Sequence, residues 1–171
     1  MDWDCMHSPG RFLFTAVHQG PYLSIQPLED ALGADRVLYL VEGVSKEARA
    51  RKSLSYLDLD RVEREFGSLE GLLREMRVQA VIRSSSEDVQ GRNPEDLAAA
   101  AATSANIPVF EVEDFPGNYW PGPGQRLDGL FVEDEFSAEY HRSRGVDPRV
   151  IHCTGNPRYD QLSRLDSAAR R

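Results

Sequence analysis

The sequence predicts an α/β fold: a single three-layer, Rossmann-like domain with a mainly parallel sheet of about six strands. Three observations predict it. Short, nearly unbroken apolar runs recur along the chain, helix-length segments lie between them, and the helix boundaries carry their own punctuation. Strands buried on both faces read as continuous apolar runs, and parallel neighbours need crossovers of helix length rather than tight turns.

The apolar runs fall at 12–17 (FLFTAV), 37–41 (VLYLV), 78–82 (VQAVI), 109–112 (VFEV), 130–132 (LFV) and 150–153 (VIHC). Each is short, and several are rich in β-branched residues. Helices are expected at 25–32, 46–66, 69–76, 94–104 and 137–144. The 46–66 stretch is dense in both charge signs, so it is either one solvated amphipathic helix or two short ones broken near Ser53 to Ser55; alternating charge favours one helix. Asn93-Pro94-Glu95-Asp96 supplies a capping side chain, a proline at the first helical position and first-turn acids. Gly33, Gly67 and Gly145 follow helical stretches, where a left-handed residue is wanted, and Ser45 and Ser137 are placed to cap the helices after them. The segment 114–126 (DFPGNYWPGPGQR) has three prolines and three glycines and reads as a loop. Residues 1–160 therefore form the domain, and 161–171 are a tail or the start of a further helix.

With 171 residues the chain is long enough to bury a core without disulfides or a metal. Its formal net charge of −8 is the wrong sign for a phosphate-backbone binder, so no nucleic acid is expected as partner. Cys5 and Cys153 lie far apart and neither has zinc-ligand spacing, which points to a reducing, cytoplasmic compartment. A mean hydropathy of −0.49 and the absence of a long apolar stretch predict no transmembrane segment.

In an open parallel sheet, ligands bind beyond the carboxyl ends of the strands. The residues placed there are His18 and Gly20 after the first run, Arg83 and Ser84 after the third, Asp114, Asn118 and Trp120 after the fourth, Glu133 after the fifth, and Asn156 and Arg158 after the sixth. His18, with an ordinary pKa near neutrality, is the first candidate for a general base, and Asp114 the second. Gly20 permits close approach of a backbone to a phosphate or sugar hydroxyl. Trp120, beside Tyr119 in its Pro/Gly frame, offers a face for stacking. The remaining residues are candidate substrate contacts. No GxGxxG fingerprint, GxxxxGK[ST] loop or GxSxG elbow is present, and the histidines at 7, 18, 141 and 152 lack HxxxH spacing. Neither a cofactor nor a metal is expected.

The segment 150–160, VIHCTGNPRYD, resembles the end of the N-terminal, acceptor-side domain of GT-B glycosyltransferases and the related UDP-N-acetylglucosamine 2-epimerases, where a strand runs into a TGN-like turn. Upstream, 12–20, 80–86, the IPV strand of 107–114 and 128–137 resemble the family's earlier strands and cleft loops in the same order. Glu113-Asp114-Phe115-Pro116-Gly117 stands where the epimerases carry HxEAG. The resemblance implies that the nucleotide-sugar is held mainly by a second domain, expected to begin shortly after Asp160. The chain is thus expected to be the acceptor-side half of a GT-B-type glycosyltransferase, inactive alone. Its expected partners are a nucleotide-sugar-binding domain or subunit and a sugar or lipid-linked acceptor. The alternative is a non-catalytic ligand-binding or protein-interaction domain on the same sheet.

Overall fold

The computed structural model describes residues 10–84, 86, 91–118 and 126–160. Six strands form one all-parallel sheet: β1 (Arg11–Ala16), β2 (Val37–Val41), β3 (Val78–Arg83), β4 (Val109–Val112), β5 (Gly129–Val132) and β6 (Ile151–Cys153), in spatial order β2-β1-β3-β4-β5-β6. The helices are α1 (Gln19–Ile25), α2 (Pro27–Leu32), α3 (Gly43–Arg51), α4 (Leu59–Phe66), α5 (Leu69–Glu75), α6 (Pro94–Ser104) and α7 (Glu135–Ser143). The α/β three-layer expectation holds, and every expected strand is present.

Alternation along the strands sorts their side chains onto two faces. Leu13, Val81 and Val109 point to the first face and pack with Leu72, Val62 and the alanine stripe Ala98, Ala99 and Ala102 of α6. The run of alanines lets α6 approach the sheet closely, and burial of this cluster, rather than helix propensity, holds the layer in place. A smaller cluster, Leu130, Val132, Ala138 and Ile151, seats α7 on β5 and β6. Phe14, Ile82 and Val112 point to the second face, where Tyr22 and Ile25 of α1 cover them. Tyr39 is edge-on to Phe14 at 5.3 Å, and the Arg49 guanidinium stacks 3.6 Å above it. The Tyr39 hydroxyl donates to Glu29 (3.0 Å), and burial together with that carboxylate raises its pKa.

Local punctuation agrees where it is strongest. Asn93 accepts from the backbone N–H of Glu95, with Pro94 at the first helical position, and Gly67 and Gly145 have φ of +74° and +86° after their helices. Three expectations need correction. The 46–66 stretch is two helices, α3 and α4, separated because Leu57 leaves the helical path to bridge Leu40 beside β2, its N–H and C=O taken by Tyr39 and Val41. The first crossover is also two helices rather than one at 25–32, and α1 begins at Gln19, so Gly20 lies inside its first turn. Ser45 and Ser137 are not caps: Ser45 Oγ donates to the His18 carbonyl (2.9 Å), and α7 is capped by Asp134, which accepts from the Ser137 N–H. An oxygen one turn earlier, on Asp134, outcompetes the Ser137 hydroxyl, which is drawn inward.

Candidate functional site at the strand ends

The strand order reverses between β1 and β3, so the loops that follow these two strands diverge to opposite faces and leave a crevice at their carboxyl ends. His18 stands on the β1 side of it. Its backbone is fixed from three directions: its N–H donates to Ser86 Oγ (3.2 Å), and its carbonyl accepts from Ser45 Oγ and the Tyr22 N–H. The His18 side chain is exposed. A rigid backbone carrying a solvent-facing imidazole is what a proton acceptor for an incoming hydroxyl needs.

Asp114, at the end of β4, is the neighbour of this turn. Its carboxylate accepts from the Asn118 side-chain amide, and a Cβ built on Gly20 would lie 2.5 Å from Asp114 Oδ2. Gly20 is thus the residue that makes room for the carboxylate against α1. Burial raises the Asp114 pKa above the ordinary carboxylate range, opposed by the Asn118 hydrogen bond. The result is a more basic carboxylate packed against Gly20 at the start of α1. The structure therefore brings Gly20, Asp114 and Asn118 together, with His18 two residues before Gly20 on the turn that opens α1.

Asn156 ties the sixth strand to the same place. Its side-chain amide donates to Ser24 Oγ (3.2 Å) and to the carbonyls of Glu113 (3.1 Å) and Asp114 (3.4 Å), while its Oδ1 accepts from the Arg158 N–H. One buried amide thereby joins α1, the β4 loop and the 157–159 turn. Glu133 is half-buried beyond β5. Arg158 is directed elsewhere, to a groove of about 390 Å³ on the outer side of α1 and α2 with Leu23, Gln26 and Tyr159. Trp120 lies outside the described residues.

Arg83 and Ser84 are interior. Arg83 pairs with the buried Glu111 (2.5 Å) and with Asp96 (3.1 Å), and Ser84 Oγ is buried with no hydrogen-bond partner among the described residues. Beneath the loops lie further buried polar residues that the sequence pattern does not single out. The carboxylate of Glu95 accepts from the Val17 N–H (3.1 Å), the Ser86 N–H (2.7 Å) and the Ser86 hydroxyl (2.7 Å), so that α6 clamps the β1 and β3 loops together. Burial pushes its pKa up to about 8, against the opposing effect of the Ser86 hydrogen bonds. Glu113 accepts from the Ser137 hydroxyl (2.5 Å) and the Gly117 N–H (2.7 Å) and faces His141 Nε2 at 2.7 Å. The available signal was a charged residue interrupting an apolar strand, as Glu111 does in VFEV: a buried parallel strand accepts such a residue only when it is paired. Among the described residues no cluster of His, Cys, Asp and Glu could hold a metal ion, and no helix is long and apolar enough to cross a membrane.

This architecture, with its crevice at the strand ends, is that of one half of a GT-B-fold protein. Among solved structures it is similar to the UDP-GlcNAc 2-epimerase from Methanocaldococcus jannaschii, with a TM-score of 0.61 at 15% identity over 94% of this chain and 50% of that one. It is also similar to the Neisseria meningitidis UDP-GlcNAc 2-epimerase bound to UDP-GlcNAc, with a TM-score of 0.59 at 16% identity over 94% and 50% of the two chains. The S. aureus MnaA–UDP co-structure gives a TM-score of 0.59 at 14% identity over 87% and 44%. The chain spans about half the length of these proteins. No protein-family model and no curated protein matches the sequence.

Proposed function

We propose that the chain is the acceptor-side half of a two-domain glycosyltransferase of the GT-B kind, which acts with a separate nucleotide-sugar-binding domain or subunit. One observation supports this reading: 94% of the chain aligns with half of a UDP-GlcNAc 2-epimerase, and His18 after β1 and Asp114 after β4 each lie beyond a strand's carboxyl end. In the assembled enzyme, His18 takes the proton of an acceptor hydroxyl on a sugar or lipid-linked sugar. The freed oxygen bonds to the anomeric carbon of the donor, and the bond from that carbon to the nucleoside diphosphate breaks, its electrons leaving with the phosphate. Gly20 lets Asp114 sit close enough to take the same role, Asn118 orients it, and Glu133 accepts acceptor hydroxyls. The exposed, free thiol of Cys153 suits a reducing, cytoplasmic setting.

The test has two arms. Calorimetry of these 171 residues with UDP-sugars is expected to show no micromolar binding, since in this reading a second domain holds the nucleotide-sugar; a micromolar Kd would put the donor site in these residues. Co-expression with a nucleotide-sugar-binding half is expected to give turnover that His18→Ala abolishes without loss of folding. Unchanged turnover would move the base to Asp114. A second reading, a non-catalytic binding domain, is favoured by the way Glu95, Arg83, Glu111, Glu113 and Asn156 engage partners within the protein. It prevails if no donor half restores turnover.

A further inference from the structure

Two of the turns at the crevice hang on one buried side chain. Glu95, in the first turn of α6, is fully buried. Its Oε1 accepts from the Val17 N–H (3.1 Å) and the Ser86 hydroxyl (2.7 Å), and its Oε2 accepts from the Ser86 N–H (2.7 Å). Ser86 Oγ accepts in turn from the His18 N–H (3.2 Å). The path from α6 to the backbone of His18 is therefore two hydrogen bonds long, and a second path reaches Val17 directly.

These three donors to Glu95 are neutral groups, so they do not balance the charge of an ionised carboxylate. Arg83, at the end of β3, pairs with Glu111 of β4 (2.5 Å) and with Asp96 of α6 (3.1 Å). An ionised Glu95 would add a third carboxylate around one guanidinium. His18, the titratable residue of the β1 turn, has its side chain exposed. The start of α6 favours a negative charge. Burial, reinforced by Glu111, outweighs the Ser86 hydrogen bonds and Arg83 and pushes the Glu95 pKa up to about 8. A neutral carboxyl keeps the contacts by donating its own O–H to Ser86 Oγ, whose hydroxyl hydrogen then turns away. In solvent a glutamate ionises near its ordinary 4.5, so opening of the clamp is favoured increasingly as pH rises from about 4.5 to about 8 and gains nothing further above that.

We propose that Glu95 is the positioning residue of this crevice: it holds the His18 turn and Ser86 together while it keeps its proton and releases both when it gives the proton up. The consequence rests on the transferase reading, in which release takes the candidate base out of place in alkaline solution; the clamp itself does not.

Amide exchange followed by NMR on the 171-residue chain tests the clamp with no need of turnover. The Val17, His18 and Ser86 amides of the wild type are expected to lose protection by about tenfold or more between about pH 5 and about pH 8, while the Thr154 amide, bonded to the Val132 carbonyl, keeps its own. In Glu95→Gln, which has no proton to give up, protection of the three amides does not vary with pH. In Ser86→Ala the His18 amide, left without its acceptor, loses about tenfold more protection than that of Val17, which reaches Glu95 directly. Wild-type protection that stays constant with pH would overturn the proposal, as would a parallel loss at Thr154 or the same pH dependence in Glu95→Gln. A pH-dependent loss confined to the three amides, in a chain that no donor half brings to turnover, would uphold the clamp and refute the transferase reading.

Discussion

Asn156 illustrates how much one amide can hold. Its N–H groups serve Ser24 Oγ and the carbonyls of Glu113 and Asp114, so truncation leaves buried acceptors unpaired. Asn156→Ala is expected to cost about 1–3 kcal/mol in urea unfolding. Asn156→Asp should cost more, because it sets a carboxylate against two carbonyl oxygens; an aspartate variant as stable as the alanine one would refute this account. Glu95 gives a pH signature. A glutamate loses its proton near its ordinary 4.5 in the unfolded chain but only near about 8 in the folded one. Between these values the folded molecule holds a proton that the unfolded chain has released, so the stability contributed by the neutral acid falls as pH rises from about 4.5 to about 8 and then levels off. Glu95→Gln removes this titration while losing one acceptor for Ser86, so it is less stable at pH 5 and the gap to wild type narrows toward pH 8. Parallel stability curves would show that Glu95 ionises in its ordinary range. At this scale the sequence disclosed place better than role. His18, Gly20 and Asp114 stand where strand-end logic puts them, but Glu95 reads in the sequence only as a first-turn acid, because only the fold brings the Val17 and Ser86 donors onto it.

Among the elements, the break between α3 and α4 shows what local pattern leaves out. Charge alternation through 46–66 suits a continuous helix, and nothing nearby in sequence reveals that Leu57 has a strand partner at Leu40. The break places Ser53 at a φ of +53°, in the left-handed region that costs a residue with a Cβ about 1 kcal/mol. Ser53→Gly is therefore expected to raise stability by about 0.5–1 kcal/mol, and Gly67→Ala, at a φ of +74° with open space around its Cβ position, to lower it by about 1 kcal/mol. Thermal unfolding of both variants checks the pair: a shift of the same sign in each would place the effect outside the backbone. The strands were legible for the opposite reason, since each is a self-contained apolar run whose burial on both faces needs no distant knowledge. The first crossover was legible only in part, because Gly20-Pro21 resembles a turn although proline suits the opening turn of a helix.

For the whole molecule, the decisive property is that the sheet is laid out from an interior strand, one place in from an edge. β1 pairs with β2 on one side and β3 on the other, and the later strands add outward to β6. During synthesis this makes the order of emergence unfavourable: the apolar segment Arg11–Ala16 is made before either neighbour, and its second neighbour is complete only at Arg83. At 5–20 residues per second the wait is about 3 to 13 s. A nascent chain arrested before residue 83 should therefore be cleaved readily by protease within 11–16, and one arrested once β4 has emerged should resist. For those seconds an interior strand of the finished sheet is exposed apolar surface, a ready ligand for any holdase that masks short apolar segments on the ribosome.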